Sequence, residues 1–313
     1  MVDVTDSHFR RVMRLFSRRC ALYTEMIAAE ALLHGRLDLL DYDPVEAPLI
    51  LQLGGCVPQR LAQAAKLGEE RGFAAINLNA GCPSDKVQQG SFGAVLMKDL
   101  PLLGECAAAL CEAVSCPVSV KTRIGVDEQD SEEFTLKLVE TLYRSGVRHV
   151  ILHARKAWLK GLSPKQNRSV PPLNYERVYL IKRSYPDLYV TLNGGLTTLE
   201  QCQTALQRVD GVMLGRAVLD NPLLLTGVDE SLFAEGNAVL TLEQHLERGA
   251  ALLEQLEHEG RPAHLALRHF INLCNGRKGA RLYRQYLSTH LKEPHSAVVL
   301  RDAFALLEHK STM

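Results

Sequence analysis

The stretch Ala75-Ile76-Asn77-Leu78-Asn79-Ala80-Gly81-Cys82-Pro83-Ser84 contains the features that decide the fold and the site. Apolar and polar residues alternate up to Asn79, which predicts a barrel strand whose polar side chains point into a site. Gly81 lets the backbone pass close to a flat or bulky group, and Pro83 stiffens the loop that follows. Cys82 then lies at the carboxyl end of the strand. A thiol with an ordinary pKa of about 8.5 is mostly protonated at neutral pH, so Cys82 is a candidate proton donor. A lone cysteine is more often a small buried apolar residue, and only its surroundings favour the catalytic interpretation.

Outward from this strand, β-rich runs alternate with amphipathic helical stretches between residues 20 and 215. Such alternation indicates parallel strands joined by helical crossovers. Polar residues gather at the carboxyl ends of the runs, which favours a TIM (β/α)8 barrel lacking one strand over a doubly wound sheet. The predicted strands are 21–26, 48–53, 74–79, 117–123, 149–153, 188–193 and 210–214. The predicted helices between them are 58–72, 102–115, 131–145, 175–185 and 198–208, the third with Ser131 as its N-cap.

The first residues of the sequence contain no strand signal. Residues 1–6 lead directly into a helix predicted for residues 7–18. A closed eight-stranded barrel needs a strand there, because an open parallel edge leaves backbone groups unpaired. We therefore expect the sequence to begin about ten residues after the native start, with residues 1–6 forming a βα loop on the active face.

The pattern changes after Arg216. A short helix is predicted to open at residues 220–222, and residues 227–237 are typical of a linker. Helical periodicity at 241–259, 262–275, 278–291 and 296–309 predicts a small C-terminal bundle. We place the domain boundary near residue 235, which gives a barrel domain of residues 1–235 and a helical domain of residues 236–313.

Composition excludes several classes of protein. The 313 residues are 46% hydrophobic and 23% charged, as in ordinary globular proteins, and the formal net charge is zero. Any nucleic-acid binding must therefore come from local patches. The sequence has neither a run of 18 apolar residues nor a signal peptide, so we expect a cytoplasmic protein without a membrane partner. The eight cysteines match no disulfide framework or metal spacing, so we expect reduced thiols and no metal site.

Glycines follow the last two predicted strands. Asn193-Gly194-Gly195 ends one and Gly215-Arg216 ends the next. In TIM barrels the last two βα loops commonly hold a phosphate with backbone N–H groups, and Arg216 adds a permanent charge. Tight strand–helix turns would also explain the glycines. The pattern predicts a site for a phosphorylated substrate or cofactor.

Three polar side chains fall at other strand ends. Lys121 can stabilise negative charge on a reduced isoalloxazine or form a Schiff base. Gln52 can pair with the amide-like edge of a ring, and His153 can donate to the same edge or to a substrate. Each could instead be an ordinary polar residue at a barrel mouth.

Two regions are strongly basic. From residue 153 to residue 183 there are eight basic residues and one acidic residue, a net charge of +7; residues 268–292 carry six basic residues and no acid, a net charge of +6. These regions predict contacts with a phosphate backbone, although solvated helix faces would look similar. The candidate nucleic-acid contacts, with Asn79 beside Cys82, are Asn79, Arg155, Lys156, Lys165, Arg168, Arg277, Lys278, Arg281 and Arg284.

Several short motifs are distributed in order along the whole chain. They are Val4-Thr5-Asp6, Phe9-Arg10, Glu25-Met26, Gln52 to Gly55, Asn77 to Ser84, Gly93 to Met97, Val120 to Gly125, His153 to Lys156, Asn193 to Gly195, Asp210 to Arg216 and Asn275 to Arg281. Together they resemble the tRNA-dihydrouridine synthase family, and the Asn-x-Gly-Cys-Pro element is highly specific. The stretches 158–165 and 171–173 resemble its bacterial A-type branch in particular.

The resemblance implies an enzyme that reduces the C5–C6 double bond of uridines in tRNA. NADPH would reduce bound FMN, hydride would pass to uracil C6, and Cys82 would protonate C5. A planar base must lie over the flavin, so the uridine must leave its stack. Gln52, Lys121 and His153 would hold the flavin, and the glycine loops with Arg216 would hold its phosphate. A-type relatives act on D-loop uridines 20 and 20a, and we expect a monomer.

The sequence departs from the family at two points. The family's first strand, with its Pro-Met-Met-like turn over the flavin, is largely absent, and Met1 is its only remainder; we assign Met1 to the flavin site on that basis. Residues 275–278 are also more basic than the Gly-x-Pro-Gly-like turn expected there, and nothing in the sequence explains this.

Three other functions remain open from the residues themselves. Another FMN barrel oxidoreductase, resembling dihydropyrimidine dehydrogenase, would need the flavin site without the basic C-terminal helices. A catalytically silent RNA-binding barrel would bind no flavin and would tolerate Cys82→Ala. A phosphosugar lyase would use Lys121 as a Schiff base that borohydride traps.

Overall fold

The computed structural model describes residues 1–234 and 239–308. Within these residues seven strands form one parallel sheet in the order β1 to β7, so each strand pairs with its neighbours in sequence. This parallel α/β arrangement is consistent with a TIM-barrel fold. Every predicted strand is confirmed, with ends that differ by at most two residues. The strands are β1 (Leu22–Ala28), β2 (Leu49–Gly54), β3 (Ala75–Ala80), β4 (Val118–Arg123), β5 (His149–His153), β6 (Tyr189–Asn193) and β7 (Gly211–Met213).

Helices follow most of the strands, and side chains cap the first turn of the three helices that begin after Ser131, Asn174 and Thr198. Ser131 accepts a 3.0 Å hydrogen bond from Phe134 N–H, as its predicted N-cap role requires. Thr198 and Gln201 form a capping box at another helix. The helices are α1 (Ser7–Met13), α2 (Ala29–Leu33), α3 (Pro58–Glu70), α4 (Asp85–Gln89), α5 (Leu100–Ala113), α6 (Glu132–Arg144), α7 (Tyr175–Ser184), α8 (Leu199–Leu206), α9 (Arg216–Asp220), α10 (Val228–Phe233), α11 (Leu242–His258), α12 (His264–Leu267), α13 (Ala280–His290) and α14 (Ser296–Glu308). Short 3₁₀ turns lie at Leu37–Leu40, Pro44–Glu46, Gly93–Lys98, Gln166–Arg168, Pro222–Leu225 and Arg268–Phe270.

One face of the sheet packs against helices. A Cβ atom on Gly68 of α3 would lie 2.4 Å from Leu51 Cδ2 and 3.0 Å from Ile76 Cδ1. Only glycine therefore allows this close approach of helix to sheet. Side chains alternate between the two faces of a strand, so the residues between these apolar positions point away from the helix, and many of them are polar.

The chain divides into two compact units. The first contains Met1–Val2, Ala21–Tyr42 and Ala47–Leu214, and thus the entire sheet; the second contains Asp3–Cys20, Asp43–Glu46 and Gly215–Met313. The units divide after the last strand, about twenty residues before the boundary that we placed near residue 235. The functional division into residues 1–235 and 236–313 stays a prediction.

The second unit contains helices at both ends of its sequence. Glu46 is fully buried and accepts from Arg10 Nε at 2.5 Å, from Ser7 Oγ at 2.5 Å and from Asp43 N–H at 2.9 Å. Arg301 of α14 pairs with Glu254 of α11 at 2.7 Å. No helix among the described residues is long and apolar enough to cross a membrane.

Three details of the helical prediction are wrong. The helix predicted for residues 7–18 ends at Met13. Residues 227–237 are not all linker, because Val228–Phe233 forms α10; residues 235–238 lie outside the described residues. Of the helix predicted for residues 262–275, only His264–Leu267 is α-helical; a 3₁₀ turn at Arg268–Phe270 and further turns follow it. Gly276, with φ of +81°, prevents helix from resuming directly after the predicted end.

Candidate active site

A chain of hydrogen bonds runs across the polar face of the sheet. Ser119 Oγ accepts from Asn77 Nδ2 at 2.9 Å, and Asn77 Oδ1 accepts from Gln52 Nε2 at 2.9 Å. Gln52 Oε1 then accepts from Asn79 Nδ2 at 2.9 Å. Asn77 is fully buried and Gln52 is nearly so, which makes each bond costly to break. The chain fixes the amide orientation of Asn79 at the end of β3.

Asn79 in turn holds the loop that carries Cys82, residues 81–93, here named the Cys82 loop. Its Oδ1 accepts from Gly81 N–H at 3.1 Å and from Cys82 N–H at 3.0 Å. The carbonyl of Cys82 accepts from Ala94 N–H at 2.9 Å. Cys82 is a free, partly exposed thiol. Both backbone polar groups of Cys82 are therefore paired, and the predicted proton donor is held at the carboxyl end of β3.

Gly93 is required for this arrangement, and the sequence reasoning gave it no role beyond its place in a family motif. Its φ is +70°, and a Cβ atom there would lie 2.6 Å from Cys82 O and 2.5 Å from Val87 Cγ1. Real Cβ atoms do not approach so closely, so any other residue would displace the Cys82 carbonyl. The sequence shows only a glycine eleven residues after the cysteine, and a local pattern does not reveal that the two residues are in contact.

Lys121 lies in register with Asn79, one strand away on β4. The pKa of Lys121 is lowered from 10.5 to about 8, chiefly by desolvation and to a lesser extent by the charge of Arg123. Among the described residues, no acceptor forms a hydrogen bond with Lys121 Nζ. A desolvated ammonium without an acceptor favours binding of an anionic group.

Arg123, at the end of β4, is a functional candidate that the sequence analysis missed. It is 5% exposed; Nε donates to Gly81 O at 3.1 Å, and Nη1 donates to Lys156 O at 3.0 Å and Asn167 O at 2.9 Å. The pKa of Arg123 is lowered to about 10, chiefly by desolvation. Two cationic side chains of β4, Lys121 and Arg123, thus lie beside the Cys82 loop.

The predicted glycine loop after β6 lies beside His153. His153 and Asn193 are in register, and Asn193 Nδ2 donates to Met213 O at 2.8 Å. Gly194 has φ of +108°, and a Cβ atom there would lie 3.1 Å from the His153 ring. Gly195 has φ of +75°, and its Cβ atom would lie 2.4 Å from Leu173 Cδ1. Both glycines are thus favoured by backbone conformation and by space, because the loop packs directly against the side chains of His153 and Leu173.

The remaining predicted cofactor residues are distributed over both units. Met1 belongs to the first unit and is 38% exposed. Gly215 and Arg216 belong to the second unit, where Gly215 is the N-cap of the short helix α9.

The first predicted basic region contains the loop of residues 154–174, here named the basic loop. Lys156 Nζ lies 3.4 Å from Asp130 Oδ2 and 4.1 Å from the centre of the Trp158 ring. Arg155 Nη1 donates to Pro171 O. Lys165 and Arg168 are exposed. The loop thus presents cations to solvent while Lys156 is partly neutralised by a carboxylate.

The second predicted basic region lies in the second unit, before and along α13. Arg277, Lys278, Arg281 and Arg284 are all exposed, and Arg284 Nη1 donates to Asn275 Oδ1 at 3.0 Å. These four exposed cations lie close together in sequence, between residues 277 and 284, as a contact with phosphates would require.

Comparisons with known proteins give one family. A family model described as dihydrouridine synthase (Dus) matches residues 1–307. A protein of Shewanella oneidensis named tRNA-dihydrouridine(20/20a) synthase is 51% identical over 289 residues, covering 92% of this chain and 86% of that protein. A protein of the same name from Pasteurella multocida is 47% identical over 288 residues, covering 92% and 88%. A solved structure described as a putative lyase/mutase from Burkholderia cenocepacia J2315 has a TM-score of 0.47 and 14% identity over 77% of this chain and 86% of that one, and we draw nothing from it.

These matches confirm the family that the motifs predicted. The family model spans nearly the whole chain. The motif around Cys82 lies at the carboxyl end of β3. The chain belongs to the dihydrouridine synthase family, whose members are flavin-dependent oxidoreductases that act on tRNA.

Proposed function

We propose that this protein is a tRNA-dihydrouridine synthase that reduces the C5–C6 double bond of D-loop uridines 20 and 20a. The observation that carries the proposal is Cys82, a free thiol whose backbone is held by Asn79 and Ala94 and which interacts with Lys121. The names of the relatives support the choice of uridine positions.

The residues fit FMN as the flavin. Lys121 Nζ is a desolvated cation without an acceptor among the described residues, which suits the electron-rich N1–O2 edge of a flavin. Gly194 packs directly against the His153 ring, so the loop after β6 lies beside this proposed flavin contact, as the phosphate-binding role of the loop requires. The proposed FMN contacts are Met1, Gln52, Lys121, His153, Asn193, Gly194, Gly195, Gly215 and Arg216.

FMN, reduced by NADPH, would supply a hydride to C6 of the uracil ring. Cys82 supplies the proton: its S–H bond breaks, a C–H bond forms at C5, and the electron pair stays on sulfur as a thiolate. Lys121 and Arg123 are the cations that β4 places beside the Cys82 loop: Lys121 is in register with Asn79, and Arg123 donates to Gly81 O. Water then returns a proton to sulfur, which restores the thiol for the next turnover.

Substrate binding needs an unstacked uridine and a held phosphate backbone. The exposed cations of the basic loop and of α13 support such contacts with tRNA. The proposed RNA contacts are Asn79, Arg155, Lys156, Lys165, Arg168, Arg277, Lys278, Arg281 and Arg284. With tRNA as substrate, we infer a cytoplasmic enzyme that acts as a monomer.

The test is to incubate the FMN-loaded protein with NADPH and a tRNA transcript that lacks modified bases. Dihydrouridine at positions 20 and 20a, mapped by primer extension, supports the proposal. Consumption of NADPH with free uracil but not with tRNA would instead favour a small-molecule oxidoreductase. Binding of tRNA without any flavin uptake would favour a silent RNA-binding barrel, and borohydride trapping on Lys121 would favour a lyase.

A further inference from the structure

The carbonyl groups of the two residues that flank Cys82 are each bound by a side chain. Arg123 Nε, from β4, donates to Gly81 O at 3.1 Å. Gln88 Nε2, from the Cys82 loop itself, donates to Pro83 O at 2.9 Å. The residues before and after the thiol-bearing residue are therefore held by two different side chains.

The same two side chains also hold the basic loop. Arg123 Nη1 donates to Lys156 O at 3.0 Å and to Asn167 O at 2.9 Å. Gln88 Nε2 donates to Leu159 O at 2.9 Å. Each side chain thus joins the Cys82 loop to the basic loop, so a displacement of one loop either breaks these bonds or moves the other.

The linked part of the basic loop is itself well fixed. Asn167 is fully buried, its Oδ1 accepts from Trp158 N–H at 2.7 Å, and its Nδ2 donates to Trp158 O at 2.8 Å and Leu162 O at 3.1 Å. Buried amide bonds of this kind are costly to break. Residues 156–167 are therefore expected to move together when a ligand contacts any part of this segment.

The outer surface of this loop is cationic. Lys160, Lys165 and Arg168 are exposed, and Arg168 follows directly after the buried Asn167. A phosphate that binds these side chains acts on the same backbone that Arg123 and Gln88 hold.

We propose that Arg123 and Gln88 are positioning residues that couple phosphate contacts on the basic loop to the position of the Cys82 thiol. This inference rests on the proposed function, because it concerns proton transfer from Cys82 to the substrate. A displacement of about 1 Å in a reacting group can reduce a rate by about a hundredfold, so this coupling controls the proton transfer. Coupling is reciprocal, so a change at Cys82 must also change the conformation of the basic loop.

The kinetic test compares Gln88→Ala with Gln89→Ala in the FMN-loaded enzyme. Gln89 is the exposed neighbour of the same type, and no hydrogen bond of its side chain occurs among the described residues. We expect Gln88→Ala to slow flavin reoxidation at saturating tRNA by about tenfold or more, with tRNA affinity and flavin reduction by NADPH within about twofold of wild type. Gln89→Ala should match wild type. Equal slowing of both half-reactions, or identical rates in the two variants, would contradict the coupling.

A second measurement does not require turnover. Trp158 is the single tryptophan of the chain, so its emission reports on the basic loop. Alkylation of Cys82 by iodoacetamide should shift this emission in wild type and in Gln89→Ala, but not in Gln88→Ala or in Cys82→Ala. The shift without any tRNA reduction would preserve the coupling and overturn the proposed function. tRNA reduction without the shift would overturn the coupling alone.

Discussion

Cys82 N–H donates a 3.0 Å hydrogen bond to Asn79 Oδ1, the same oxygen that accepts from Gly81 N–H. One side-chain amide thus holds two successive peptide groups. Asn79 is fixed by Gln52, and Gln52 by Asn77. The position of the thiol therefore depends on the polar face of the sheet and not on the loop alone.

The first prediction concerns Cys82→Ala. Flavin reduction by NADPH should stay unchanged, while tRNA-dependent flavin reoxidation should fall by about 10² to 10⁴, the usual contribution of a positioned proton donor. Stopped-flow absorbance of the flavin measures both half-reactions. Cys56→Ala is the control, since Cys56 is also a partly exposed thiol, with Sγ 3.6 Å from Gly90 O. Equal slowing of the two half-reactions would contradict the proton-donor role.

The second prediction concerns Gly93→Ala. The new Cβ atom would lie 2.6 Å from Cys82 O, so the carbonyl must move and the thiol with it. We expect reoxidation by tRNA to fall by about tenfold or more, with flavin reduction by NADPH retained. Gly35→Ala is the matched control, because Gly35 also has a positive φ, +94°, but nothing lies within 4 Å of its Cβ position. A similar loss of reoxidation rate in Gly93→Ala and Gly35→Ala would show that backbone strain alone causes the effect.

The third prediction is a pH dependence that arises from Lys121. Its pKa in the protein is about 8, lowered from 10.5 chiefly by desolvation. Below pH 8 the charge is already present, whereas above pH 8 binding of an anionic group must take up a proton. FMN affinity should therefore fall by up to about tenfold per pH unit above pH 8.

Lys121 variants separate this effect from the titration of FMN itself. Lys121→Met should bind FMN more weakly and lose the dependence above pH 8, and Lys121→Arg should lose it because arginine keeps its charge. Lys137→Met, at an exposed position on α6, should behave as wild type. FMN titrations followed by flavin fluorescence measure all four proteins. An unchanged pH profile in Lys121→Met would contradict the assigned contact.

Sequence patterns predicted the strands to within two residues because each strand combines alternating residues with a polar or glycine-containing end. Alternation also fixes the face on which a side chain lies, so Cys82, Lys121 and His153 could be assigned to strand ends. The helices α2, α4, α9 and α10 were missed because five or six residues are too few for a helical period to be recognised.

The parts of the site that were missed depend on contacts between distant segments. Arg123 binds Gly81, which is 42 positions away, and Gln88 binds Leu159, which is 71 positions away. Asn167 is buried although it lies in a polar loop. No local period encodes such bonds, because their donors and acceptors meet only after the sheet has formed.

The fourth prediction concerns stability of the second unit. Glu46→Gln removes the carboxylate that pairs with Arg10 at 2.5 Å, and both side chains are buried. An uncompensated buried charge costs about 3 to 5 kcal/mol, so the urea midpoint should fall clearly. Glu254→Gln is the matched control, since its partner Arg301 and Glu254 itself are about half exposed. The control should change the free energy of unfolding by less than about 1 kcal/mol. Similar shifts of the urea midpoint in Glu46→Gln and Glu254→Gln would contradict the special contribution of the buried Arg10–Glu46 pair to stability.

The fifth prediction concerns the salt dependence of tRNA binding. Arg281 is exposed on α13, and no ion pair of its side chain occurs among the described residues, so its charge is available to a phosphate. Each phosphate contact releases counterions, and its loss reduces the slope of log affinity against log salt by about 0.7 to 0.9. Arg281→Ala should therefore bind tRNA more weakly at low salt and approach wild type at high salt, as filter binding from low to high salt can measure. Arg36→Ala is the control, because Arg36 is also exposed but already pairs with Asp38 at 2.8 Å. An unchanged slope in Arg281→Ala would remove Arg281 from the proposed RNA contacts. An equal change in Arg36→Ala would show that the effect arises from the net charge of the protein and not from a local contact.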